Sequence, residues 1–128
     1  MRRGEVWLIN LDPTVGAEIK KTRPAVIVND DAIGILPLKV IVPITEWKDR
    51  YAVAPWLIRL EPDAENGLDK PSAADAFQVR SVAQERFVRR LGMLSDTVMQ
   101  EITRALAVVL SIELPELVRA KSKGLGGC

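Results

Sequence analysis

From residue 5 to residue 94 the apolar residues come in short, largely β-branched runs, each cut off by proline, glycine or charge. Only after Ser95 do they recur at helical spacing. A chain patterned this way folds as a small sheet closed by one helix. "EVWLINL" (5–11) turns Trp7, Ile9 and Leu11 to one face and Val6, Leu8 and Asn10 to the other. "PAVIVN" (24–29) is a strand that begins with Pro24, at the position where a missing N–H is tolerated. "KVIVPIT" (39–45) is the next strand, and Pro43 marks it as an edge or bulged one. "WLIRL" (56–60), "AADAFQVRSVA" (73–83, with a kink) and "RFVRRLGML" (86–94) complete the sheet. Ser95 caps a helix running from 96 to about 112, with Asp96 in its first turn and Val98, Ile102, Leu106, Val109 and Leu110 on its apolar stripe. The expected architecture is therefore mainly β, a small barrel-like sheet with a C-terminal α-helix. It forms one domain over 1–113, followed by a polar, flexible tail over 114–128.

Two features of composition narrow the function. Lysine and arginine exceed the acids by only one charge in 128 residues, so any binding of an anion must come from local clustering. There is no histidine at all. That removes histidine triads, histidine-ligated zinc and paired-histidine nuclease chemistry, and leaves Glu, Asp, Lys, Arg or Tyr to act as acid and base. The single cysteine, Cys128, allows no internal disulfide and no cysteine metal site, and reads as a free thiol without a role. Neither metal nor cofactor is expected. Glu5, Asn10 and Asp12 break up the opening segment as a signal peptide, and "ALAVVLSI" is far too short to span a bilayer, so a cytoplasmic protein is expected.

The local cluster is "KKTRP" (20–24), at the end of a long irregular segment, 12–23, and at the mouth of a buried strand. Loops of this length inside compact domains are often functional. Together with "RRGEVWLINLDPTVGAEIKKTRPAVIV", the later "VPIT", "DAFQVRSVAQERF" and "LGMLSDTVMQEITRALAVVL", the chain resembles the MazF/PemK toxins of bacterial toxin–antitoxin modules over roughly residues 3 to 112. The combination of R-G-E-V-W, P-x-x-G-x-E and x-R-P-x-x-V carries the resemblance; any one piece alone is weak. The resemblance implies an SH3-like barrel (CcdB/MazF/PemK-type), usually homodimeric. It also implies metal-free cleavage of single-stranded RNA to 2′,3′-cyclic phosphate and 5′-hydroxyl ends, and silencing by a cognate antitoxin.

The residues that would carry such chemistry can be weighed on their own terms. Arg23, fixed by Pro24, can hold a phosphate by two parallel hydrogen bonds and stabilise a phosphorane as its charge develops; otherwise it is a solvated rim arginine. Thr45, at the end of its strand, can bond a phosphate oxygen or position the attacking hydroxyl, or is simply a good strand residue. The resemblance implies that both are catalytic. Glu18 is either the general base for the 2′-hydroxyl or the orienter of Arg23, and pairing with Lys20 or Lys21 is the bland reading; the resemblance implies a functional glutamate there. A free arginine is a poor base. Lys20 and Lys21 either contact flanking phosphates or serve solubility. Gln78 can read a base edge through its amide, with Ser72, Asp75 and Arg80 as neighbours in RNA binding. Arg80 and Asp75 could instead form a structural ion pair or a dimer contact. Trp47 is the best candidate for base stacking, whereas Trp7 and Trp56 read as core. Two other classes compete with cleavage. A CcdB-like toxin that binds a protein such as DNA gyrase would not need Arg23 with Thr45. An SH3-like binding module would want more aromatics than the 5% present.

Overall fold

The computed structural model describes residues 1–33 and 36–113. The expected tail over 114–128, Cys128 included, and residues 34–35 of the turn after Asn29 lie outside the described residues. Seven strands form in chain order: β1 (Glu5–Asn10), β2 (Thr22–Ile27), β3 (Leu38–Glu46), β4 (Leu57–Leu60), β5 (Ser72–Asp75), β6 (Arg80–Ala83) and β7 (Phe87–Met93). The helix α1 (Asp96–Leu110) follows. The strands pair antiparallel in the order β4-β5-β3-β2-β1-β7, with β6 also against β3.

β3 is the hub, not the edge that Pro43 suggested. One side of it pairs β2. Its other side pairs β6 through Leu38–Ile41 and then β5 through Ile44–Glu46. Val40 accepts from the Val28 amide (2.9 Å) and donates to Asn29 Oδ1 (3.1 Å), so even positions of β3 address β2. Odd positions address the other side, and Pro43 falls in the gap between β6 and β5. A proline is tolerated inside a central strand here because neither neighbour asks for its missing N–H.

The 73–83 segment, expected as one kinked strand, is two. Asp75 accepts from the Phe77 amide (3.1 Å) and caps a 3-10 turn, Ala76–Gln78, that ends β5 and starts the path to β6. This is the usual way a short carboxylate diverts the backbone out of a ladder.

The sheet buries both faces, each with its own cluster. Val6, Val26, Val42, Ile44 and Leu60 pack with Met99 and Ile102 of α1. The Ser95 cap forms as expected, its hydroxyl accepting from the Val98 amide (3.2 Å). The buried line of the helix runs through Met99, Ile102 and Ala105, while Leu110, expected on it, is exposed. Arg3 ties the helix to the sheet. Its guanidinium donates to Thr103 Oγ1 (2.8 Å) and to the Val28 carbonyl. The other face gathers Ile9, Leu11, Ala25, Ile27, Ile41 and Val82, with Trp7 and Phe87 packed edge-on beside them. A loop, not a helix, reaches onto this face: Ile19 from the 12–21 segment packs against the cluster.

Candidate nucleic-acid interface and active site

The loop is closed at its neck, where the Leu11 amide donates to the Lys21 carbonyl (2.9 Å). Lys21 adopts φ 71, a left-handed backbone that costs a lysine roughly 1–2 kcal/mol. Side chains from across the sheet hold the root. Arg80 donates to the Leu11 carbonyl (3.1 Å), and Arg86 donates to the carbonyls of Asn10 and Asp12. The chain then enters β2 through Thr22 and Arg23.

Arg23 pairs with Ile9 in the β1–β2 register, so it lies on the face of the second apolar cluster. The β2–β3 ladder ends at Ala25↔Pro43. Continued by one further step of two, the same register sets Arg23 opposite Thr45, on the same face. Arg23 is exposed, and among the described residues its guanidinium makes one long contact, from Nε to the Lys20 carbonyl (3.4 Å). Thr45 is half-buried and pairs with Ala73 of β5. The two strands thus carry a cation and a hydroxyl on one sheet face, neither of them inside the core.

On the same face opens a cleft of about 510 Å³ lined by Glu18, Ile19, Pro43, Phe77, Gln78 and Arg80, among others, with Arg23 and Thr45 outside its lining. Glu18 is exposed and curls into its own turn, where Oε1 accepts from the Val15 amide (2.6 Å). Gln78 reaches the loop: its Oε1 accepts from the Ile19 amide (2.6 Å) and its Nε2 donates to the Ala17 carbonyl and to Asp75 Oδ2 (3.3 Å each). Burial pushes the Asp75 carboxyl up from its ordinary value, against hydrogen bonds from the Phe77 and Gln78 backbone and the Gln78 side chain that pull it down. Lys20 and Lys21 are exposed on the same loop.

The remaining expected residues are placed more variously. Ser72 is buried at the start of β5, and its hydroxyl donates to the Lys70 carbonyl (2.9 Å). Trp47, just beyond Thr45, is half-buried, edge-on to Tyr51 and with the Arg59 guanidinium 4.9 Å over its ring. Its Nε1 is buried without a hydrogen-bond partner among the described residues. Trp56, read as core, stands 37% exposed against Phe77, whose ring is 66% exposed at the cleft. Asp75 and Arg80 make separate contacts and form no ion pair with each other among the described residues.

Sequence reasoning missed Phe77 and Arg86. The apolar pattern places Phe77 in a strand, and the signal that sets it apart is the Asp two positions before, a turn-capping residue. Arg86 acts through two backbone carbonyls distant in sequence, which no spacing reveals.

The sequence matches the family described as PemK-like, MazF-like toxin of type II toxin–antitoxin system over residues 2–110. Among curated relatives, the endoribonuclease MazF9 of Mycobacterium tuberculosis is 33% identical over 118 residues, covering 88% of this chain and 98% of the relative. Two solved structures share the fold. MazF from Deinococcus radiodurans superposes with a TM-score of 0.72 at 23% identity, covering 87% of this chain and 96% of the other. An endoribonuclease in complex with its cognate antitoxin, from Mycobacterial species, gives 0.70 at 21%, covering 90% and 99%.

Proposed function

This chain belongs to the PemK-like, MazF-like toxins of type II toxin–antitoxin systems, and from that premise we propose that it is a sequence-specific endoribonuclease. In this reading it acts in the cytoplasm on single-stranded RNA, needs no metal or other cofactor, and leaves 2′,3′-cyclic phosphate and 5′-hydroxyl ends. The supporting observation is the shared sheet face of Arg23 and Thr45, on which opens a cleft whose acid is Glu18.

The chemistry is an in-line displacement. The ribose 2′-oxygen forms a bond to phosphorus as its proton leaves, and the bond to the 5′-oxygen breaks as that oxygen takes up a proton from Arg23 or from water. Glu18 is the proton acceptor or the group that orients Arg23; it stands within the cleft and holds one carboxylate oxygen free of the Val15 contact. Arg23 and Thr45 hold the non-bridging oxygens, where charge accumulates in the phosphorane. Lys20 and Lys21 contact flanking phosphates from the loop, and Trp47 takes a base beside Thr45. Arg80, at the start of β6, completes the RNA-binding side of the cleft, with Gln78 and Asp75 supporting it from the turn before. A cognate antitoxin, like the one bound to the mycobacterial relative, would silence the protein, and the active form is a homodimer.

The test is cleavage of a long unstructured RNA in excess EDTA, with Arg23→Ala alongside and fragment ends mapped. The reading expects cuts at a recurrent short motif, cyclic phosphate ends, and a loss of about 100-fold or more in the folded mutant. An intact RNA, or an Arg23→Ala protein that cuts as well as wild type, overturns it.

A further inference from the structure

The amide of Gln78 touches the backbone of the two residues that flank Glu18. It accepts from Ile19 N–H at 2.6 Å and donates to the Ala17 carbonyl at 3.3 Å, across about sixty residues of sequence. Among the described residues the other hydrogen bonds of that stretch are local to its turn: the Glu18 amide donates to the Val15 carbonyl (3.3 Å) and Glu18 Oε1 accepts from the Val15 amide (2.6 Å). Val15 is 80% exposed, Gly16 has a left-handed φ of 60, and a Cβ on Gly16 would meet nothing. Ile19 supplies the apolar anchor, and the neck contact between Leu11 and Lys21 closes the loop without fixing its tip.

An amide can turn end for end, and only one orientation gives both loop contacts. Asp75 sets it. Its Oδ2, an acceptor in the ionised form, lies 3.3 Å from Gln78 Nε2, so the nitrogen is the end that points to Asp75 and Ala17. Asp75 is itself held by the Phe77 amide at 3.1 Å. The chain of contacts therefore runs from the capped turn, through Asp75 and Gln78, to the two peptide groups around Glu18.

We propose that Gln78 is a positioning residue: it clamps the loop on both sides of Glu18 and so fixes where that carboxylate stands in the cleft, with Asp75 orienting the clamp. The inference rests on the ribonuclease reading for its consequence in catalysis, but the clamp is a property of the RNA-free protein. It gives Gln78 a different task from reading a base. Both donor positions of its amide and one acceptor position of its oxygen are already engaged within the protein.

The experiment uses the full chain as wild type, Gln78→Met and Gln78→Glu. Methionine keeps the length of the side chain and loses every hydrogen bond; glutamate keeps the acceptor, loses the donor and faces Asp75 with a like charge. Amide hydrogen exchange is measured without RNA, and kcat and KM are measured on a short RNA that wild type cuts. In Gln78→Met the Ile19 amide is expected to exchange about tenfold faster, and the Val15 amide, which Glu18 accepts from, should follow. Amides of the β2–β3 ladder should be unchanged, which shows the protein folded. The kcat should fall about tenfold with KM within about threefold, the mark of a misplaced catalytic group. Gln78→Glu should retain part of the Ile19 protection. Unchanged Ile19 exchange in Gln78→Met overturns the clamp. A raised KM with kcat intact also overturns it and makes Gln78 a reader of RNA. If wild type cuts no RNA, the ribonuclease reading fails by itself, and the exchange data still decide whether the clamp exists.

Discussion

Glu5 is buried at the start of β1, yet it is an acid. Its Oε1 accepts from Trp7 Nε1 (2.8 Å) and lies 3.8 Å from the N-terminal amine, and Oε2 lies 3.7 Å from Arg90 Nε. Burial alone would raise its pKa, but the Trp7 bond, the Arg2 backbone and the two cations outweigh it, and the net shift is downward. A carboxylate held below its unfolded value stabilises the fold above that value, and the contribution is lost as pH falls through the folded pKa. Glu5→Gln should therefore lower stability by about 1 kcal/mol at neutral pH, with the difference from wild type vanishing at an acid pH below the folded pKa. Urea unfolding of both proteins at the two pH values checks this. A difference that persists in acid would mean that the lost packing, not the charge, is responsible. The residue was legible as a strand position, but not as a buried acid, because its partners come from the N-terminus and from β7.

Among the elements, the irregular connection between β4 and β5 shows how a loop can be as fixed as a strand. Asn66 is only 2% exposed. Its Oδ1 accepts from the amides of Asp63 (3.2 Å) and Leu68 (3.0 Å), and its Nδ2 donates to the Glu61 carbonyl (2.8 Å). Gly67, at φ 70, presses against the Leu91 carbonyl of β7, where a Cβ would collide with backbone. Both Asn66→Ala and Gly67→Ala should cost about 2–4 kcal/mol, the first by orphaning buried polar groups and the second by combining a left-handed φ with a clash. Thermal unfolding would show it, and a melting point within a degree or two of wild type for either variant would mean the loop is not docked on β7. The dipeptide Asn-Gly signals a turn. That the turn is plugged into the far strand of the sheet depends on where β7 lies, which local sequence does not encode.

For the whole molecule, a net charge of +1 leaves no general attraction for nucleic acid, so salt-dependent affinity must come from the cations around the loop. Lys20→Ala and Lys21→Ala should each weaken binding of a non-cleavable single-stranded RNA and reduce the slope of log K against log salt by about 0.7, nearly independently of RNA sequence. Fluorescence anisotropy over a salt series measures both. Unchanged slopes would return the two lysines to the role of solvated surface charge. The result bears on Lys21 in particular, whose left-handed backbone glycine would adopt more readily.

The sequence by itself determined the order of the strands, with β5 and β6 merged into one, the helix and its Ser95 cap, and the two-faced alternation of β1, because these follow from apolar period and capping chemistry within a few residues. It also put forward Arg23, Thr45 and Glu18 as candidates, through the family resemblance that their motifs carry. Pro43 misled it: a missing N–H looks like an edge until one sees that β3 changes partner at that position. Tertiary structure alone decided that Arg23 and Thr45 share a face, because that depends on antiparallel register between separate strands. It alone brought Gln78 to the peptide groups beside Glu18, since a hydrogen bond spanning some sixty residues exists only once the sheet has folded.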